Sequence, residues 1–142
     1  MDNIVFKNEE KLTNLIYEVR GKQVMLDSDL ARLYICANGA KTINQAVKRH
    51  QNRFPERFMF QLTETEVENL RSQLGTAKYN MMSRTLPYAF IEQGVAMLAT
   101  VLRTSVAEEV SIRIMDAFVA MRKYIGNNLI EQKYIISCER WN

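Results

Sequence analysis

The stretch Leu26-Asp27-Ser28-Asp29-Leu30-Ala31-Arg32-Leu33-Tyr34, followed by Asn38-Gly39 and then Lys41-Thr42-Ile43-Asn44-Gln45-Ala46-Val47-Lys48-Arg49, decides how this chain folds. Asp27 suits an N-cap, where a carboxylate accepts hydrogen bonds from the orphan amides of a first turn, and Asp29 suits the positive helix end. Asn38-Gly39 breaks the pattern within a few residues, so the first helix is short. The second is predicted from about Thr42 to Asn52, with Ile43, Ala46 and Val47 on one face, and Phe54-Pro55 ends it. Lys41, Asn44, Gln45, Lys48 and Arg49 recur at spacings of three and four and so share the opposite face. Two helices around a tight, glycine-containing connection follow a helix-turn-helix plan.

Working outward, Asn8 to Leu15 carries the spacing of a short turn. The segments Ile16–Val19 and Gln23–Leu26 around Arg20-Gly21-Lys22 read as a small hairpin. Phe58–Leu62 has the alternation of a strand, and Thr63 with Glu66 forms a capping box for a helix from Glu64 to Leu74. Gly75–Arg84 lacks periodicity and reads as a loop. Leu86–Phe90 is a short strand with Pro87 at its start or on an edge, and Glu92–Leu102 is an apolar helix. Ser105 and Glu108 suggest a second capping box, opening a helix from Val106 to Ile125. Its stripe is Val106, Val110, Ile114, Phe118, Met121 and Ile125. Gly126-Asn127-Asn128 is expected to stop it, with a separate amphipathic segment from Leu129 to Trp141. The expected class is α+β and mostly helical: a helix-turn-helix-like unit, short strands with a hairpin, and long C-terminal helices. The expected division is one domain over 1–126, containing the helix-turn-helix-like unit, and a helical appendage over 127–142.

With 142 residues, 47% hydrophobic and 25% charged, five Gly and two Pro, the chain is globular rather than disordered or collagen-like. The net charge of +3 is too small to argue from, but its placement is informative. From Lys41 to Arg57 five basic residues (Lys41, Lys48, Arg49, Arg53, Arg57) meet one acid, Glu56. Asn and Gln pair with adenine edges, and Arg and Lys with guanine or phosphate, so such a helix face suits a major groove. A solvated helix face is the bland alternative. A second basic set, Arg71, Lys78 and Arg84, lies in the acid-free stretch from Arg71 to Pro87. It reads either as a loop tracking phosphates or as an ordinary solubilising loop, and both remain open.

Cys36 and Cys138 stand far apart, and with His50 they fall short of the four ligands of a structural zinc site. Free thiols in a reducing cytoplasm are the expectation. The polar start Met1-Asp2-Asn3 is unlike a signal peptide, and no apolar run approaches the roughly 20 residues of a membrane span. No glycine-rich phosphate loop, no metalloprotease motif and no nucleophile–base pair can be assembled. His50, beside Arg49, is expected to face solvent or phosphate. Capping accounts for Asp27 and Asp29, so an enzyme, in particular a Mg-dependent nuclease, is a remote alternative. No cofactor is implied.

Val24-Met25-Leu26-Asp27 with Asp29-Leu30-Ala31 and Leu33-Tyr34 resembles the opening signature of KilA-N-type DNA-binding domains, in the branch named after phage open reading frame six. The resemblance continues through Asn44–Arg49, Arg53–Thr63, Asn69–Gln73, Leu86–Phe90 and Glu92–Leu98, covering about Leu15 to Tyr124. Two departures stand out. The connection Ile35–Ala40 is longer than the family's usual turn, and Ile91 replaces the Thr common before Glu92-Gln93-Gly94. The resemblance implies a DNA-binding module of bacterial, prophage or viral regulatory proteins, often antirepressor-like.

Together these readings predict a cytoplasmic DNA-binding regulator of transcription or of a prophage. Lys41, Thr42, Asn44, Gln45, Lys48 and Arg49 would face double-stranded DNA, with Arg53, Arg57, Arg71, Lys78 and Arg84 on phosphates. A protein–protein interaction module is the rival reading, carried by the eight Met and by the apolar C-terminal segment. The apolar residues of that segment suggest a homodimer contact or a link to a further C-terminal domain, and the absence of a helix stop at its end suggests a longer natural chain.

Overall fold

The computed structural model describes residues 12–74 and 86–141, with side chains over 12–71 and 86–126. The hairpin expected near residue 20 comprises β1 (Tyr17–Val19) and β2 (Lys22–Leu26), antiparallel, with Val19 opposite Lys22. Its turn, Arg20-Gly21, has φ of 55° and 70°. Both central residues are therefore left-handed, as a type I′ turn requires, and the glycine takes one of them without steric cost.

Two short helices follow, α1 (Asp27–Leu33) and α2 (Ala40–Arg49), then a 3-10 turn over Gln51–Arg53. Next come β3 (Met59–Gln61), α3 (Glu64–Leu74), β4 (Tyr88–Phe90), α4 (Glu92–Leu102) and α5 (Ser105–Trp141). The architecture is α+β, with a four-stranded antiparallel sheet in the order β1-β2-β4-β3. Pro87 sits just before β4, an inner strand, where its missing N–H costs the ladder nothing, and its carbonyl accepts Leu62 N–H at 2.9 Å.

Strand periodicity puts alternate residues on opposite sheet faces, and both faces are covered. Met25, Phe90 and Met59 stand side by side in register and pack with Leu30, Ile43, Val47, Val95, Leu98, Ile114 and Phe118 from the helices. Leu26, Ala89 and Phe60, also in register, join Val19, Val24, Leu62 and Leu70, with α3 closing that side. α1, α2, α4 and α5 therefore share one core, α3 lies in the opposite layer, and the hairpin contributes to both, Met25 to the first and Val19, Val24 and Leu26 to the second. Arg20 ties the layers at the rim. Its Nε and Nη2 donate to Glu66 at 2.7 and 3.0 Å, and its guanidinium lies 4.1 Å over Phe60.

The capping box at Thr63 forms as read: Glu66 N–H donates to Thr63 Oγ1 at 3.2 Å, and Thr63 N–H to Glu66 Oε1 at 2.8 Å. The box expected at Ser105 does not form. Thr104 takes the role, its Oγ1 accepting Ala107 N–H at 3.0 Å, because the α-region begins one residue earlier in hydrogen-bond terms than the spacing suggested. Ile91 heads α4 without a side-chain cap.

The stop expected at Gly126-Asn127-Asn128 is also corrected. α5 runs unbroken for 37 residues, about 55 Å at 1.5 Å per residue. One interior glycine costs about 1 kcal/mol, too little to end a helix already propagating on both sides. Val110, Ile114 and Phe118 of its stripe are buried, whereas Ile125 is exposed.

Candidate nucleic-acid interface

α1 reverses into α2 through Tyr34–Gly39. Tyr34 N–H donates to Leu30 O and Cys36 N–H to Ala31 O, which close α1. Ile35 then takes φ of 56° with an exposed side chain, and Gly39 takes φ of 63°. A β-branched residue in the left-handed region costs about 1–2 kcal/mol. That strain replaces the tight turn of a shorter connection. The turn is pinned from outside by Tyr34, whose hydroxyl bonds Ser111 Oγ of α5 at 2.8 Å, and burial pushes its pKa up to about 12.

Asp27 does not act as an N-cap. The helix already includes it, and Leu26 holds the cap position with no side-chain bond. Asp27 is buried instead, with Oδ1 accepting Ser28 N–H at 2.8 Å and Oδ2 accepting the Asn44 Nδ2 amide at 3.1 Å. Burial raises its pKa above the ordinary carboxylate value, and the hydrogen bonds from Asn44, Tyr88 and Ser28 partly offset this. Asp29, also buried, pairs with Arg32 at 3.1 Å. Asn44 is thereby drawn out of the face on which its spacing put it: its amide braces α2 against α1, and its Oδ1 is buried without a partner.

The rest of α2 divides as its periodicity requires. Ile43, Ala46 and Val47 are buried; for Ile43 and Val47 burial contributes about 1.5–3 kcal/mol each. Lys41, Gln45, Lys48 and Arg49 are exposed together on the far side, and Thr42 is half-buried at the edge. His50 is half-buried, and its Nδ1–H donates to Ala46 O at 3.0 Å and closes the C-terminal turn. Arg53 and Arg57 are exposed in the connection to β3, and Arg57 stacks 5.3 Å over Phe58. Arg71 is exposed on α3 in the opposite layer, 3.7 Å from Glu68. Lys78 and Arg84 lie outside the described residues. The arrangement thus unites Lys41, Gln45, Lys48 and Arg49, continues through Arg53 to Arg57, and separates Asn44 and Arg71 from that surface.

Spacing could not reveal the Asp27–Asn44 bond, since the partners are 17 residues apart. The one available hint was that Asn44 sits at the border of the apolar arc. Among the described residues, no group of three or more His, Cys, Asp or Glu could hold a metal ion, and no helix is long and apolar enough to cross a membrane.

The fold and site define an α+β domain whose two-helix unit presents a basic helix over a covered sheet. The profile of the ORF6N domain family matches residues 14–101, more than half the chain, and the chain belongs to that family. Membership associates it with phage-related regulatory proteins. No curated protein and no solved structure matches it.

Proposed function

We propose that this protein is a DNA-binding regulator, of transcription or of a prophage, that reads duplex DNA with α2 in the cytoplasm. The observation carrying the reading is the division of α2, whose inner face is buried while Lys41, Gln45, Lys48 and Arg49 are exposed as one polar, cationic face. Such side chains supply hydrogen bonds to base edges and charge to phosphates. Arg53 and Arg57 extend the cationic surface beyond the helix. Family membership supports the same reading.

The test is fluorescence anisotropy with duplexes selected from a random pool, titrated with salt. Lys48→Glu with Arg49→Glu should abolish binding without altering the melting temperature by more than a few degrees. Unchanged affinity would remove α2 from the interface. Affinity of the unaltered protein should fall with log–log slope near −0.9 per phosphate neutralised.

An interaction role is a second reading, favoured by one observation: Ile112, Val119, Tyr124 and Ile125 are exposed along α5. A homodimer through this helix would carry two copies of α2, and paired helices can address successive major grooves; a further domain could also use the surface. Enrichment of a palindrome in the selected pool would support the dimer.

A further inference from the structure

β4 ends at Phe90, level with Met25 of β2 and Met59 of β3, and the chain then leaves the sheet for α4. β2 and β3 are both antiparallel to β4 and so run in one direction on either side of it. Beyond that level, among the described residues, no strand separates the start of β2 from the segment preceding β3. Arg20, Lys22, Glu56, Arg57 and Phe60 line a hollow of about 430 Å³ in this place.

The hollow is cationic and partly preorganised. Arg20 forms a fixed wall, held by Glu66 below and by the face of Phe60. Lys22 and Arg57 are exposed and make no ion pair among the described residues, and Arg57 is steadied against the Phe58 ring. Glu56 is the single acid among the lining residues. Two uncommitted cations beside a fixed guanidinium, in a concavity, suit a tetrahedral anion that accepts several hydrogen bonds. The exposed cations Lys48, Arg49 and Arg53 lead from the end of α2 along the connection to Arg57. The anion is therefore expected to belong to the same polymer that lies on α2.

We propose that this hollow, formed by the hairpin turn and Arg57, binds a backbone phosphate of duplex DNA and carries the interface from α2 around to the edge of the sheet. The proposal rests on the DNA-binding reading above. Lys22 and Arg57 supply charge, Arg20 shapes the wall, and Glu56 opposes binding.

The test uses the full chain and a random-sequence duplex, with affinity measured from about 50 to about 200 mM salt. Lys22→Gln with Arg57→Gln removes the contact to that one phosphate, so the salt slope should flatten by about 0.9, and the unaltered protein should lose about three- to fourfold more affinity across that range than the variant. Glu56→Gln should bind more tightly than the unaltered protein, a gain that misfolding does not produce. If both variants match the unaltered protein while Lys48→Glu with Arg49→Glu abolishes binding, the hollow is overturned and the α2 reading stands. If the unaltered protein binds no DNA, the α2 reading fails and the hollow with it.

Discussion

Replacing Gly94 by alanine separates this fold from the general behaviour of helices. Gly94 lies in the first turns of α4, where Gly→Ala ordinarily gains about 0.5–1 kcal/mol. Here a Cβ would meet the Phe58 carbonyl, with its carbon at 3.0 Å and its oxygen closer still. That carbonyl also accepts Ile91 N–H at 3.0 Å, so retreat from a new methyl stretches a hydrogen bond out of range. Forced overpacking costs about 1–3 kcal/mol and an orphaned buried acceptor a similar amount. Less the propensity gain, the net loss is about 3 kcal/mol, or roughly 10 °C in melting temperature for a chain of this size. Gly126→Ala is the matched control: Gly126 sits inside α5 with nothing within 4 Å of a Cβ, so it should gain about 0.5–1 kcal/mol. Thermal and urea unfolding of both variants measure the pair. A Gly94→Ala protein as stable as the parent would refute the close packing of the Phe58 backbone, just before β3, against α4, and a destabilised Gly126→Ala protein would refute the continuous helix.

Asn44→Ala should lose about 2 kcal/mol, because it strips a hydrogen bond from the buried Asp27 carboxylate, whereas exposed Gln45→Ala should stay within about 0.5. The Asn44 bond favours the ionised carboxylate, so urea melts should show a larger loss at pH 7 than at pH 4. Equal losses would disprove the pairing. Arg20 and the Thr63 amide hold Glu66 down at about 2, so its folded pKa lies below the unfolded value. Its stabilising contribution is therefore full above the ordinary carboxylate range and vanishes as pH falls toward 2. The stability gap to Glu66→Gln should close over that window, and a gap independent of pH would count against the ion pair. Tyr34→Phe leaves the buried Ser111 hydroxyl without its partner and should cost about 1–2 kcal/mol. Adding Ser111→Ala should cost less than the sum of the two single changes, as a double-mutant cycle would measure.

The elements legible in the sequence were those whose causes lie within a few residues. Gly21 and its neighbours marked the hairpin, Thr63 and Glu66 marked the start of α3, and the spacing of Ile43, Ala46 and Val47 marked the buried face of α2. The exposed face was legible for the same reason, except at Asn44. Its spacing is compatible with either side of the helix, and a carboxylate from another helix decided the matter. Thr104 and Ser105 are both competent caps, and only the backbone path chose between them. Gly126 carries the signal of a stop, yet the helix passes through it.

Periodicity, capping and turn chemistry in the sequence by themselves determined which segments are helix or strand, which face of each is apolar, and that the positive charge gathers on and after α2. The tertiary structure alone decided that β4 lies between β2 and β3, that Arg20 meets Glu66 from 46 residues away, and that Asn44 is spent on Asp27. The reason is physical. Backbone conformation responds to neighbours within one turn, whereas a polar side chain's partner is whatever packing brings within about 3 Å. The hollow at the end of β4 belongs to that second kind: its cations come from a hairpin and a connection that adjoin only because the strand between them stops at Phe90.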